Sequence, residues 1–116
     1  MAEIAIGILG LGRLGTSVAL ALKRYNSSGS EHTFTITGFD SINKNLNAAK
    51  KRDALHKAVN RAEMAVQGMD IVVMALPYAE VKATYEYIGP DLRSGAVVLD
   101  MSPLGQNNLQ WAAQHL

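Results

Sequence analysis

The run Glu3-Ile4-Ala5-Ile6-Gly7-Ile8-Leu9-Gly10-Leu11-Gly12-Arg13-Leu14-Gly15 constrains the fold more than any other stretch of the chain. Ile4, Ile6, Ile8 and Leu9 read as a buried parallel strand, and Leu14, Val18, Ala21 and Leu22 then recur at helical spacing. A G-x-G-x-x-G motif alone specifies little; between a strand and a helix it predicts a diphosphate site. Gly10 permits the tight strand-to-helix turn, Gly12 lets the backbone approach a pyrophosphate, and Gly15 lets the helix pack closely on the strand. Unpaired N–H groups and the positive end of the helix dipole then receive the anion without a lysine. The bland alternative is a glycine-rich turn that binds nothing.

A chain of 116 residues that is 48% apolar has room for one core and one domain. Its formal charge of +1 comes from interspersed acids and bases, so nucleic acid is not an expected partner. The absence of cysteine excludes disulfides, a thiolate nucleophile and cysteine-based metal centres. No apolar run reaches the roughly 18 residues that span a bilayer, and the N-terminus has no basic leader, so no membrane partner and a cytoplasmic location are expected.

After a turn-forming cluster at Asn26-Ser27-Ser28-Gly29-Ser30, the segment 33–39 is rich in β-branched and aromatic residues and predicts a second strand. It ends at Asp40, 25 residues beyond Gly15. An acid about 20 residues after the glycine motif accepts hydrogen bonds from a ribose, and the polar loop accounts for the excess. The alternative reading of an aspartate after a strand is a helix N-cap. As a ribose acceptor it repels a 2′-phosphate and favours NAD, while Lys44 and Lys50 leave NADP open.

Ile42, Leu46 and Ala49 predict a short second helix, and Lys50-Lys51-Arg52 marks its cationic end. A short edge strand is expected over 54–59, with His56 as an edge residue. Asn60 and Glu63 have the spacing of a capping box opening a helix over 61–67 that Gly68 ends. Met69-Asp70-Ile71-Val72-Val73-Met74-Ala75-Leu76-Pro77 is a continuous apolar run, expected as a central strand covered on both faces. A helix carrying Val81, Thr84, Tyr85 and Ile88 follows it. The stretch 95–103 repeats the design as another buried strand, and a C-terminal helix carrying Trp111 is expected within 104–116.

The alternation predicts an α/β protein: a Rossmann-type three-layer sandwich whose parallel sheet of about five strands runs in the order 3-2-1-4-5 with helices on both faces. Ligands of such sheets bind outside the carboxyl ends of the strands. Ala75, Leu76, Pro77, Tyr78, Met101, Ser102 and Pro103 are therefore candidate lining for the nicotinamide half of a dinucleotide. Gly10, Leu11, Gly12, Arg13, Leu14 and Gly15 are the candidates for its diphosphate. His32, His56 and His115 are scattered, and no pair suited to acid–base work is apparent.

With the glycine motif, Asp40, the 70–77 run and Leu99-Asp100-Met101-Ser102-Pro103 in this order, the sequence resembles the N-terminal domain of the 6-phosphogluconate dehydrogenase-like superfamily. That group includes prephenate dehydrogenases, pyrroline-5-carboxylate reductases, β-hydroxyacid dehydrogenases and deazaflavin-dependent NADP reductases. The resemblance implies an oxidoreductase domain that holds NAD or NADP for hydride transfer to or from a small-molecule carbonyl, imine or hydroxy acid. It implies that residues 10–15 hold the pyrophosphate, Asp40 the adenosine ribose, and the Ala75-Leu76-Pro77 turn the nicotinamide ribose. Ser102 resembles a substrate-contacting serine of the β-hydroxyacid branch, without the rest of that branch's motif. The usual helical second domain, which dimerises and supplies catalytic residues, is not in this sequence. A fragment, or a domain whose partner lies on another chain or in a homodimer, is therefore expected.

Two other readings compete. A regulatory nucleotide-sensing module, similar to the ligand-binding domains that gate potassium transport, accommodates the glycine motif and Asp40, but such modules follow the fourth strand with a polar turn rather than Ala75-Leu76-Pro77. An S-adenosylmethionine-dependent methyltransferase is less well matched, because Gly15 is placed for helix packing under a diphosphate.

Overall fold

The structure, a computed structural model, describes residues 2–26, 31–101 and 108–115. Among these, five strands form one parallel sheet: β1 (Ala2–Leu9), β2 (His32–Phe39), β3 (Lys57–Ala58), β4 (Ile71–Met74) and β5 (Val97–Asp100), in the order β3-β2-β1-β4-β5. The helices are α1 (Arg13–Asn26), α2 (Asn43–Lys51), α3 (Tyr78–Ile88) and α4 (Asn108–His115). This is the expected architecture and strand order.

Alternation along the strands divides the core in two. Ile6, Ile8, Ile36 and Val73 face α1 and α2, packing with Leu11, Ala19, Ala49 and Leu55. Leu9, Val72 and Met74 face the opposite side, against Val66, Val81, Tyr85 and Ile88. Ile8, Leu9, Ile36 and Met74 are fully buried. Each such side chain contributes about 1.5–3 kcal/mol of transfer free energy.

Several local expectations are corrected. The buried stripe of α1 runs through Gly15, Ala19 and the partly buried Val18 and Leu22, whereas Leu14 and Ala21 are exposed. Asn26 belongs to α1 rather than to the following loop: its side-chain amide donates to the Phe34 carbonyl and accepts from the Phe34 N–H, tying the helix end to β2. Ile42 is 55% exposed, preceding α2 rather than anchoring it. The edge strand expected over 54–59 narrows to two residues, since Ala54 and Leu55 turn inward as buried core.

No capping box forms at Asn60. A single 3₁₀ turn, Ala62–Ala65, replaces the expected helix, and Arg61 is its N-cap without a side-chain cap bond. Glu63 is drawn away instead, pairing with Arg61 and accepting from the Tyr87 hydroxyl at 2.6 Å. Strand β5 is shorter than the apolar run and is not covered on both faces. Val98 faces α3, but Val97 and Leu99 are 51% and 48% exposed, because β5 is the edge strand and α1 lies over β1 and β2.

At the amino edge of the sheet, Asp70 accepts the Ala5 N–H at 2.8 Å and pairs with Arg93. These two contacts, the backbone bond first, hold its carboxyl below the usual range. At the carboxyl edge, Gly10 N–H donates to the Phe39 carbonyl, Ala75 N–H to Leu9 and Met101 N–H to Met74. Three loops are thereby registered along one rim.

Candidate functional site

The turn after β1 has the geometry that its glycines allow. Gly10 has φ +99°, in the left-handed region where a side chain is strained. A Cβ on Gly15 would lie 1.7 Å from the Gly10 carbonyl oxygen, so the first turn of α1 sits against the end of β1 only because position 15 has no side chain. A Cβ on Gly12 meets nothing within 4 Å, leaving its backbone facing open space. Thr16 closes the turn through its hydroxyl, which donates to the Leu11 carbonyl at 3.0 Å.

Asp40, just past β2, is bound to this turn. Its Oδ2 accepts from the Leu11 N–H at 2.8 Å and from the Asn45 side-chain amide at 3.1 Å; its Oδ1 accepts from the Ile42 N–H at 2.8 Å. The last bond is an Asx turn leading into α2. One carboxylate therefore joins the glycine turn, the β2 end and the α2 start. An ionised carboxylate offers about four acceptor positions, and three are used among the described residues.

These elements enclose a cleft of about 320 Å³ along the carboxyl rim. Of the predicted residues, it gathers Gly10, Gly12, Arg13, Leu14, Asp40, Ala75, Leu76, Pro77 and Met101. Leu11 is buried and takes part through its N–H, and Gly15 lies beneath the turn. Tyr78, the first residue of α3, is exposed and outside this lining. Ser102 and Pro103 lie outside the described residues. The lining also contains Ile42, Asn45 and Glu80, which the sequence reading missed. The signal for Glu80 was its place in the first helical turn after Pro77, where a helix leaving the sheet faces the rim. Among the described residues of the lining Arg13 is the one cation, against the carboxylates of Asp40 and Glu80.

The first-turn N–H groups of α1 have no intrahelical partners, and with the helix dipole and Arg13 they give one part of the cleft a positive character that can receive an anion. Asp40 provides an acceptor for hydroxyl donors beside it. The wall formed by Ala75, Leu76, Pro77 and Met101 is mostly apolar and suits a flat ring. Beyond the cleft, Tyr85 donates to Asp100 Oδ2 at 2.9 Å, anchoring the end of β5 from which Met101 emerges. Burial, then this hydrogen bond, raises the Tyr85 phenol above its ordinary range. Among the described residues no cluster of three His, Asp or Glu side chains is arranged to hold a metal, and no helix is long and apolar enough to cross a membrane.

Residues 5–103 match the family described as NADP oxidoreductase, coenzyme F420-dependent. No curated protein sequence matches significantly. Among solved structures, Synechocystis arogenate dehydrogenase superposes with a TM-score of 0.80 at 24% identity, over 96% of this chain and 37% of that one. Prephenate dehydrogenase from Aquifex aeolicus, in complex with hydroxyphenyl propionate and NAD+, gives 0.79 at 19% identity, over 100% of this chain and 38% of that one. Plasmodium falciparum pyrroline carboxylate reductase with NADP bound gives 0.65 at 22% identity, over 92% of this chain and 37% of that one. The chain thus spans less than two fifths of the length of each of these structures, and the superpositions establish the shared fold.

Proposed function

The chain belongs to the family of coenzyme F420-dependent NADP oxidoreductases, and from that membership and the cleft we propose that it is the dinucleotide-binding domain of an NAD(P)-dependent oxidoreductase. The observation that carries the reading is the joint between the glycine turn and Asp40: an open anion-binding backbone at Gly12 stands beside a carboxylate with one acceptor position left. The diphosphate lies on Gly10-Leu11-Gly12-Arg13-Leu14, with Gly15 supporting the turn. The adenosine ribose donates a hydroxyl to Asp40. The nicotinamide half runs toward Ala75, Leu76, Pro77, Met101 and, outside the described residues, Ser102, with Tyr78 bordering it.

NAD is the proposed cofactor in preference to NADP, since the Asp40 carboxylate stands where a 2′-phosphate would be placed. The A. aeolicus and P. falciparum proteins carry NAD+ and NADP respectively, so the fold accommodates both. When bound, the nicotinamide supplies hydride transfer. The protein's share is to fix the diphosphate by backbone dipoles, orient the ribose at Asp40 and present an apolar wall that excludes water from the ring. The substrate is a small carbonyl compound, imine or hydroxy acid. On this reading the groups that polarise the substrate come from a second, helical domain or a partner chain.

Titration with NADH, NADPH and ADP, followed by nicotinamide fluorescence and thermal stability, tests the reading. Saturable NADH binding that ADP does not reproduce is expected. A response to ADP alone points instead to a nucleotide sensor, and failure of every nucleotide to bind overturns the reading.

A further inference from the structure

A groove of about 210 Å³ runs between the first turn of α1 and one stripe of α2. Its floor is Leu11 and Thr16, both buried. On one wall Asn45, Ala48 and Arg52 recur at i, i+3 and i+7 along α2 and its C-cap, and Arg13 stands on α1. The space between them is open because Gly12 has no side chain and Ala48 stops at a methyl group. The spacing of the two helices is held at both ends. At one end Asp40 joins the Leu11 N–H to Asn45; at the other, Lys23 of α1 pairs with Asp53, just past α2, at 3.3 Å.

The electrostatics of this groove differ from those of the cleft. The cleft sets Asp40 and Glu80 against Arg13, whereas the groove is lined by two guanidinium groups and no carboxylate. Neither Arg13 nor Arg52 makes an ion pair or a side-chain hydrogen bond among the described residues. The neighbouring acids are committed elsewhere: Asp53 to Lys23, and Asp40 to the Leu11 and Ile42 N–H groups and Asn45. Two like charges lining one space repel each other, and an anion between them removes that cost. The forked donors of a guanidinium match phosphate oxygens two at a time. A monocarboxylate balances one of the two charges; a phosphate monoester, with about two negative charges near neutral pH, balances both.

We propose that this groove is a second anion site, taking a small phosphate monoester between Arg13 and Arg52, and that its occupancy opposes dinucleotide binding. The second half rests on the dinucleotide reading. Gly12, Arg13 and Asn45 line both groove and cleft, so a phosphate that draws the Arg13 guanidinium toward Arg52 withdraws it from the diphosphate. The coupling is reciprocal. The probe is methyl phosphate, followed by phosphorus NMR at constant ionic strength with acetate as the control; NADH is followed by nicotinamide fluorescence. Saturable binding of methyl phosphate is expected in the wild type and weakens about tenfold or more in Arg52→Ala, while NADH alone binds both proteins equally. Methyl phosphate raises the Kd for NADH about fivefold or more in the wild type and leaves it unchanged in Arg52→Ala. No saturable binding, equal binding of acetate, or undiminished phosphate affinity in Arg52→Ala overturns the groove. Competition with NADH that survives in Arg52→Ala puts the phosphate on the glycine turn, and a loss of NADPH affinity alone in that variant assigns Arg52 to the cofactor's 2′-phosphate; either overturns the proposal. Arg52-dependent phosphate binding in a chain that binds no nucleotide overturns the dinucleotide reading and the coupling but leaves the anion site standing.

Discussion

The Leu11 N–H donates to Asp40 Oδ2 at 2.8 Å across 29 residues of sequence, so the glycine turn after β1 and the carboxylate after β2 are joined directly. Replacing Asp40 by Ser removes the charge, the Leu11 bond and the Asn45 bond together. NADH affinity is expected to fall about tenfold or more, since a hydrogen bond to a charged group contributes about 1.5–3 kcal/mol. NADPH gains relative to NADH because the repulsion at the 2′ position is gone. Fluorescence titration of both nucleotides checks the ratio, and an unchanged ratio removes Asp40 from the ribose site. Asp40→Asn, which cannot satisfy both the N–H donors and the Asn45 amide as well, should fall between.

Gly15 and Gly12 separate fold from binding. Gly15→Ala places a Cβ 1.7 Å from a main-chain oxygen, which no side-chain rotation relieves. The expected cost is about 3 kcal/mol, at the upper end of overpacking, seen as a lower urea midpoint with or without nucleotide. Gly12→Val meets open space, so its unfolding midpoint should move by less than about 1 kcal/mol equivalent. Saturable NADH binding should nevertheless disappear. Retained affinity in Gly12→Val would show that the diphosphate lies elsewhere.

The strand order and the glycine turn were legible because each rests on a short-range pattern: continuous apolar runs for β1 and β4, and a β-branched run for β2. Asp40 was legible for the same reason, standing directly after a strand. Its bond to Leu11 was not, because nothing local links positions 11 and 40. Glu80, Asn45 and Ile42 were missed since lining a cleft depends on how two helices leave the sheet. The Asn60 capping box failed on tertiary grounds, as Glu63 finds Tyr87, 24 residues away, a better partner than the local backbone. The exposure of Val97 and Leu99 was illegible in a run whose composition suits a buried strand equally well.

The anchor between Tyr85 and Asp100 bears on the rim that carries Met101. Tyr85 is 3% exposed and its hydroxyl bond is 2.9 Å long. Tyr85→Phe keeps the ring's packing and removes only the donor, so a loss of about 1–3 kcal/mol is expected by urea unfolding. Leu99→Ser, on the exposed face of β5, should change stability by no more than about 0.5 kcal/mol. A neutral Tyr85→Phe would show that the bond contributes nothing net to holding β5.

His56 makes stability depend on pH near neutrality. Its N–H donates to the Ile36 carbonyl, and its Nδ1 accepts the Ile36 N–H at 2.9 Å, so the side chain completes the pairing between β2 and β3. Only the neutral ring can accept. Burial first, then the nearby Lys23 charge, lower its pKa, with Asp53 opposing. Because the folded pKa lies below the unfolded value of about 6.5, the unfolded chain takes up the proton first as pH falls. The contribution is complete above about pH 6.5 and is lost on acidification through the folded pKa. Asp70 and Glu63, both lowered, add their losses only further into acid, below about pH 4.5. Urea midpoints of the wild type should therefore fall between about pH 7 and pH 5, while those of His56→Ala stay flat across that window. Parallel curves for the two proteins would show that another group carries the dependence.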